Sequence, residues 1–303
     1  MSHDGTAWEG FSNVERTRGE QLLTVTFYGV RGSTPCPCDD NRRYGGNTSC
    51  VALESPGHDP IALDLGTGLR FWGLTLPTDG SFRGSALVTH IHWDHVQGLP
   101  FFTPVLRPGS QFDVYGPPQE EEGTLAQAFD QFLRPPFFPV DVEGLNGDIR
   151  FHDVDRTDFE IDGAKVLARR VPHVGTTNGY RVQLGGATVA YLSDHQMPYD
   201  GSHVVTDEVL ELCDGADLVI HDAQYTRAEF AEKFYWGHCT VDFAVHVAHE
   251  AGAKRLALFH HDPAHYDDHV DHMLQAAQDL AARTSLDEVI AAAEGLTIAL
   301  GEA

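Results

Sequence analysis

The feature that most constrains this chain is a group of metal-ligand residues directly after an apolar, strand-like run. Residues 90–95 are His-Ile-His-Trp-Asp-His. Neutral imidazole and ionised carboxylate are ligands of Zn²⁺, Mn²⁺ and Fe²⁺, and a fold that holds them together must offset their desolvation. A strand that ends near His90 and His92, followed by a helix that begins at Asp94 and His95, would supply ligands to two adjacent metals. Because 18 of 303 residues are histidine, this spacing alone could arise by coincidence, so further ligands are needed.

Further ligand-type residues follow other runs that are typical of β-strands. These residues are His173, Asp194 and His260. With the four in residues 90–95 they make seven, which is enough for two metals that share one carboxylate. His261 is adjacent to His260 and stays open as the last ligand.

Length and periodicity predict a single α/β domain. The chain has 303 residues, of which 42% are hydrophobic, and this fits one large domain. Strand-like runs in both halves with interspersed helices predict two sheets packed face to face, with helices outside. We expect a polar, flexible extension over residues 1–20 and one domain over residues 21–303. A helix is predicted over residues 120–133, and residues 286–300 are expected to form only a short tail.

Charge and composition exclude several partners. The net charge of −25, from 45 acidic and 20 basic residues, would repel a polyanion, and no Lys/Arg-rich patch is visible. The net charge does not oppose binding of a small phosphate at the metal site, because two bound dications would make the electrostatic potential there positive. No apolar run is long enough to cross a membrane, and the N-terminus does not resemble a signal peptide. Five irregularly spaced cysteines form no disulfide framework, so we expect a cytoplasmic protein.

Over roughly residues 22–270 the chain resembles the metallo-β-lactamase superfamily. The resemblance rests on residues 89–95, His173, the Leu-Ser-Asp turn at 192–194 and His260. It implies an αββα sandwich of two mixed sheets, with a dinuclear metal site at one edge and a hydrolase function. It also implies how the ligands divide: one metal would be held by His90, His92 and His173, the other by Asp94, His95 and His260, and Asp194 would bridge the two.

Finer motifs resemble the branch that contains RNase Z and the phosphoribosyl cyclic phosphate phosphodiesterases. They lie at residues 177–182, 221–223 and 237–240. In that branch a carboxylate at the position of Asp222 orients a histidine at the position of His238, which acts in acid catalysis. The chemistry agrees, because the departing oxygen of a phosphodiester needs a proton that a carboxylate-oriented imidazole can supply. The alternative is that His238 simply caps a helix. Asp94, Asp222 and His238 are the candidate catalytic residues.

Two departures from that branch bear on the substrate and on an additional metal. RNase Z enzymes often insert an arm that grips transfer RNA, whereas here a tight Gly185-Gly186 turn joins two predicted strands. Cys36 and Cys38 are similar to part of the structural zinc site of the cyclic-phosphate enzymes. Asn41 stands near the expected third cysteine, and the matching histidine is also missing. Two reduced loop cysteines are therefore favoured, and a structural metal there stays open.

Several weaker candidates have equally good structural interpretations. Asn47, Thr48 and Ser49 lie in a small polar loop that would line a substrate pocket or form a plain turn. Asp64 precedes a Gly-rich turn, where it would either support a ligand histidine or act as an ordinary turn residue. The remaining histidines of the C-terminal third are interpreted as surface or packing residues; they are His246, His249, His265, His269 and His272.

Together these patterns predict a hydrolase that acts on a compact phosphodiester such as a cyclic phosphate or a cyclic nucleotide. A hydroxide between two divalent metals would attack phosphorus, and His238 would protonate the leaving oxygen. Zinc is the first expectation for both ions; no cysteine is among the ligands, so manganese and iron stay open. The alternatives are a hydrolase of a lactone, thioester or β-lactam, or a non-catalytic sensor of a phosphorylated small molecule. The expected partner is a small molecule, and the sequence leaves homodimer formation open.

Overall fold

Two β-sheets packed face to face form the centre of the protein, in a computed structural model that describes residues 22–119 and 123–301. The predicted extension over residues 1–20 lies outside the described residues. The strands are β1 (Leu23–Gly29), β2 (Cys50–Glu54), β3 (Ile61–Leu63), β4 (Arg83–Leu87), β5 (Gln111–Gly116), β6 (Asp148–Asp153), β7 (Asp158–Ile161), β8 (Ala164–Arg170), β9 (Asn178–Leu184), β10 (Ala187–Leu192), β11 (Leu218–Asp222), β12 (Arg255–Phe259), β13 (Glu288–Ala291) and β14 (Thr297–Leu300). The α-helices are α1 (Leu69–Gly73), α2 (Trp93–Val96), α3 (Leu125–Phe132), α4 (Asp207–Cys213), α5 (Arg227–Lys233), α6 (Val241–Glu250) and α7 (Asp267–Ala281).

Each sheet has seven strands and mixes parallel with antiparallel pairs. The strand order is β14-β1-β2-β3-β4-β5-β6 in the first sheet and β13-β12-β11-β10-β9-β8-β7 in the second. Strands β3 to β6 are parallel neighbours, as are β10 to β13, and the other neighbours are antiparallel. Two mixed sheets with helices confirm the predicted α/β sandwich.

Three apolar layers hold the sandwich together. Between the sheets lie buried side chains such as Phe27, Tyr180 and Phe259. In β1 buried and half-buried residues alternate, as expected for a strand with one face on this layer. A second layer joins the outer face of the second sheet to α4 and α6, and a third joins the first sheet to α1 and α3. Helices therefore cover the outer faces, and the strand ends remain to form a site.

Two local predictions were wrong in their bounds, and one strand was not predicted. The helix predicted over residues 120–133 begins at Leu125, where Thr124 and Gln127 form a capping box. The supposed tail contains β13 and β14, which add an edge region to each sheet, and β7 was missed. Each of these three strands has only four residues, too few for a period-two pattern to be distinguished from a loop.

Within the described part of the chain, no helix is long and apolar enough to cross a membrane.

Candidate metal centre

The seven predicted ligand residues come together at one edge of the sandwich, in two clusters. The histidine cluster comprises His90, His92 and His173, which group with Asp194. The Asp94 cluster comprises Asp94, His95 and His260. Within each group the candidate ligand atoms all lie within 4.8 Å of one another.

Strand ends place these residues. His90 follows β4, His173 follows β8, Asp194 follows β10 and His260 follows β12. Within the second sheet β8, β10 and β12 run in the same direction, so their carboxyl ends meet at one edge. The fifth element is α2, whose short helical turn follows His92 and carries the remaining ligands of the Asp94 cluster.

Asp194 lies between the two clusters, with one oxygen facing each. Its Oδ1 lies 3.2 Å from His95 Nε2 and 3.2 Å from His260 Nε2. Its Oδ2 lies 3.5 Å from His173 Nε2 and 3.8 Å from His90 Nε2. This is the arrangement of a carboxylate that can bridge two metals.

The Asp94 cluster includes His260 rather than His261. Asp94 Oδ2 lies 3.2 Å from His260 Nε2 and accepts a 2.6 Å hydrogen bond from the backbone N–H of Ser33. His260 Nδ1 lies 2.8 Å from Gln224 Oε1, so it donates there and leaves Nε2 as the ligand atom. His261 faces away, with Nε2 2.9 Å from the carbonyl of Ala292. The structure thus favours His260 over its neighbour as the last ligand.

Buried acceptors orient two more ligand imidazoles. His95 Nδ1 lies 2.7 Å from Asp64 Oδ2, and the fully buried Asp64 also accepts hydrogen bonds from Thr89 and Tyr191. His173 Nδ1 donates to the carbonyl of Gly237 over 2.6 Å. Such partners fix the tautomer and direct Nε2 inward. Asp64 therefore occupies the supporting position suggested by the sequence.

The electrostatics of the site fit divalent cations. Burial lowers the pKa of His90 well below its usual range and that of His173 to about 4, so both rings are neutral, with free lone pairs, at pH 7. Burial also opposes charge on His95, yet the carboxylates of Asp94, Asp194 and Asp64 raise its pKa well above the ordinary value. The carboxylates thus attract positive charge into this buried site.

Two buried atoms at the centre of the site lack the partners that burial requires. Among the described residues neither His95 Nε2 nor Asp194 Oδ1 makes a hydrogen bond, although the two lie 3.2 Å apart. An unsatisfied buried polar atom costs about 1–3 kcal/mol. A metal ion coordinated by both atoms would remove that cost, so the residues present fit the metals that their chemistry suggests.

A second buried pair, His238 and Asp222, borders both clusters. His238 Nδ1 lies 2.9 Å from Asp222 Oδ2, and Asp222 is held by the backbone N–H groups of His195 and Gln224. The His238 ring stacks on His260 with centroids 5.0 Å apart. Burial opposes protonation of His238, but Asp222 outweighs it and raises the pKa above the usual value. The structure therefore places a carboxylate-oriented imidazole beside the metal ligands.

The interpretation of His238 as a helix cap was wrong. The N-cap of α6 is Thr240, whose side chain accepts from the backbone N–H of Phe243. His238 lies before the helix and, with Asp194 and His260, forms a further group of possible ligand atoms. Its imidazole therefore lies among the candidate metal ligands and does not cap the helix.

Sequence reasoning missed several residues that shape the site. Ser33 and Gln224 contact ligands through bonds that span 61 and 36 residues, and no local pattern indicates them. Gly32 and Gly237 are required sterically, because a Cβ at either position would overlap the imidazole of His260 or His173, respectively. Glycine there permits the close approach of backbone to a ligand.

Replacing Gly237 with alanine should lower metal affinity about 10- to 100-fold, the usual cost of disturbing the partner of a ligand histidine. The new methyl group would displace His173 from its hydrogen bond with the Gly237 carbonyl. Competition with a chromogenic chelator would measure the affinity. The matched control is Gly201→Ala, since Gly201 has a similarly positive φ of 73° but no atom within 4 Å of a Cβ. Equal losses in both variants would point to backbone strain alone.

The residues of the proposed substrate loop are mostly buried and hydrogen-bonded within the protein. Thr48 and Ser49 are fully buried, and Thr48 exchanges hydrogen bonds with Thr67. The backbone N–H and side chain of Asn47 both donate to Glu294. The polar groups of Asn47 and Thr48 therefore brace the loop, and substrate contact by Asn47, Thr48 and Ser49 stays a prediction that these hydrogen bonds do not support.

Local contacts bear on two other questions from the sequence. Cys36 and Cys38 are free thiols, and in the part of the chain that the structure describes no third ligand joins them. His265 is buried and bonds to Glu229 over 2.6 Å, with His269 stacked on it. The other oxygen of Glu229 closes the capping box of α5. The ligand-type atoms of Glu229, His265 and His269 also lie within 4.8 Å of one another, so these residues form a further group that could hold a metal ion, and the packing role predicted for the two histidines stays a prediction.

Comparison with known proteins agrees with this architecture. The family model described as "Beta-lactamase superfamily domain" matches residues 84–261. Ribonuclease Z of Natronomonas pharaonis is 27% identical over 276 residues, which cover 78% of this chain and 86% of that protein. Ribonuclease Z of Lactococcus lactis subsp. cremoris is 28% identical over 245 residues, 65% of this chain and 76% of that protein.

Solved structures show the same fold at low sequence identity. Human tRNase Z, short form, aligns with a TM-score of 0.64 and 24% identity, over 91% of this chain and 98% of that one. A diphosphatase of the PhnP family aligns with a TM-score of 0.63 and 21% identity, over 92% and 97%. The metallo-β-lactamase fold protein YhfI from Bacillus subtilis aligns with a TM-score of 0.68 and 18% identity, over 92% and 99%.

Proposed function

The chain belongs to the metallo-β-lactamase superfamily, in its ribonuclease Z-like branch, and on that basis we propose that it is a dinuclear phosphodiesterase of a compact phosphodiester such as a cyclic phosphate. The coarser class, a metal-dependent hydrolase of phosphoric diesters, follows from the family and its relatives. The observation that carries the proposal is the Asp222–His238 pair beside the two ligand clusters.

Each of the two ligand clusters would bind one metal ion. The histidine cluster would hold one ion, the Asp94 cluster the other, and Asp194 would contact both. When bound, two dications lower the pKa of coordinated water toward 7 and neutralise the charge of the ester oxygens. Imidazole and carboxylate ligands suit zinc, and the absence of cysteine from the set keeps manganese and iron as alternatives.

His238 would supply the proton for the departing oxygen. Because Nδ1 donates to Asp222, the second proton of the imidazolium is on Nε2, and this is the proton available to the substrate. The raised pKa keeps more of the ring protonated near neutral pH. Burial of His238 and Asp222 excludes bulk water from this proton transfer. A hydrolase of lactones, thioesters or β-lactams does not need such a pair, and a sensor needs no acid.

The proposed ester is compact, although the relatives are named for cleavage of RNA. The strong net negative charge opposes a long polyanion. The turn between β9 and β10 consists of Gly185 and Gly186, which leaves no room at that point for a tRNA-gripping arm. We therefore propose a small-molecule partner rather than an extended nucleic acid.

The metal-loaded enzyme should hydrolyse bis(p-nitrophenyl) phosphate and leave precursor transfer RNA intact at physiological salt. The expected reason is that a protein with a net charge of −25 binds a polyanion such as RNA weakly. Spectrophotometric turnover and gel analysis of transfer-RNA 3′ ends would measure the two activities, with a known ribonuclease Z as positive control. Efficient 3′ processing would overturn the compact substrate but not the metal chemistry. Turnover confined to nitrocefin or lactones would overturn the phosphodiesterase itself.

A further inference from the structure

A cavity of about 450 Å³ lies beside the metal ligand His92. This volume is within the range of roughly 300–1,000 Å³ that is typical of small-molecule sites. His92 is part of both the cavity wall and the histidine cluster. A ligand whose phosphate lies at the metal clusters could therefore extend its remaining part into this cavity.

Aromatic rings dominate the cavity wall. Trp93, Phe132 and Phe137 line it, and Trp93 and Phe137 are 66% and 69% exposed. Single exposed apolar side chains are common, but rings gathered around one concave site indicate a binding surface. Flat ligands with a π-face gain most from such a wall, because they stack on the rings.

Besides the imidazole of His92, two carboxamides supply the polar groups of the described part of the wall. They belong to Gln119 and Gln131, and among the described residues that line the cavity none is Asp, Glu, Lys or Arg. Gln119 is held in place because Nε2 donates to the carbonyl of Pro117 over 2.8 Å. A carboxamide both donates and accepts, as does the edge of a nucleobase. The rings match the face of a base, and the two carboxamides match its edge.

We propose that this cavity is a base subsite, formed by Trp93, Gln119, Gln131, Phe132 and Phe137, and that the natural substrate is a nucleotide whose phosphodiester lies at the metal clusters. The proposal rests on the proposed function, because the metal site fixes where the phosphate lies. It narrows the compact ester to one that carries a purine or pyrimidine. Specificity then resides in the cavity, while the chemistry resides in the clusters.

Two cyclic phosphates with the same reacting ring and the same sugar, adenosine 2′,3′-cyclic phosphate and methyl riboside 2,3-cyclic phosphate, isolate the contribution of the base. The nucleoside ester should have the higher kcat/KM, by roughly 5- to 100-fold, because one stacked base contributes about that factor. Most of the difference should be in KM, since stacking is the same in the ground and transition states. Equal kcat/KM for the two esters would overturn the base subsite and leave the phosphodiesterase intact.

Phe137→Ala tests the subsite directly, because this ring is exposed and is not a metal ligand. The ratio of the two kcat/KM values should fall toward one. Phe71→Ala is the matched control, an exposed phenylalanine on α1 outside the cavity wall, and it should leave the ratio unchanged. An unchanged ratio in Phe137→Ala, with a shift from dimer to monomer on size exclusion, would overturn the subsite in favour of an interface between copies of the chain.

Binding measurements separate failure of the subsite from failure of the chemistry. Adenosine 3′-monophosphate should bind the metal-loaded enzyme more tightly than methyl riboside 3-phosphate in calorimetry, and Phe137→Ala should remove the difference. If that result holds but neither cyclic ester is hydrolysed, the base subsite stands and the cyclic-phosphate function fails. If the two monophosphates bind equally, the subsite fails, whatever the enzyme hydrolyses.

Discussion

Replacing His92 with alanine should remove metal and activity together. His92 Nδ1 lies 2.8 Å from His90 Nε2 and 3.3 Å from His173 Nε2, so it completes the histidine cluster. Without it the cluster keeps two imidazoles for a cation, and the variant should lose about one metal equivalent per chain. A metal supplies several kcal/mol of transition-state stabilisation, so activity should fall by roughly 10³-fold or more.

Elemental analysis and bis(p-nitrophenyl) phosphate turnover would measure both effects in one preparation. His272→Ala is the matched control, because this histidine is exposed on α7 and belongs to neither cluster. It should keep the metal content and rate of the unmodified protein. Full activity after exhaustive chelation would contradict the metal hypothesis.

The second expected result is a fall in kcat of roughly 10²- to 10⁴-fold for His238→Ala, with metal content intact. This range is the usual contribution of general acid catalysis, and retained metal would separate that role from ligation, which the position of His238 beside Asp194 and His260 also allows. Asp222→Asn should cost less, because it weakens the orientation of the ring without removing it. The double variant should be scarcely worse than His238→Ala, since residues that act as one unit are not additive.

The leaving group decides whether His238 donates a proton. The p-nitrophenolate ion departs without protonation, so the rate loss of His238→Ala should shrink on bis(p-nitrophenyl) phosphate. An ester with a poor alkoxide leaving group should show the full loss. Stopped assays on both esters, in His238→Ala and in the unmodified protein, would give the comparison. Equal losses on both would mean that His238 binds phosphate and donates no proton.

Local patterns in the sequence were enough to predict the fold class and the positions of the ligands. The mixed-sheet sandwich and the family were confirmed. Two sheets could be predicted because long strands such as β1 and β8 have a clear apolar pattern, whereas the family was predicted from the motif at residues 89–95 and the later ligand-type residues. The positions of the candidate ligands could be predicted because His90, His173, Asp194 and His260 stand after runs that form strands. Short strands such as β7 were lost because four residues have too little pattern.

Only the tertiary structure decided which groups orient the ligands. Asp64 reaches His95 across 31 residues, and the carbonyl of Gly237 reaches His173 across 64. The same is true of Asn47, whose polar groups turned out to be bound by Glu294, 247 residues away. A hydrogen bond of this kind depends on how close two segments lie in the folded chain. The residues next to each partner in the sequence carry no pattern that indicates this contact.

The sequence by itself therefore determined which residues are candidate metal ligands, because ligand type and position after a strand are local properties. The choice between His260 and His261 and the cap of α6 at Thr240 required the folded chain. So did the cavity beside His92. In each case the deciding quantity is a direction or a distance between elements that are remote in sequence, and it is fixed only when the two sheets pack.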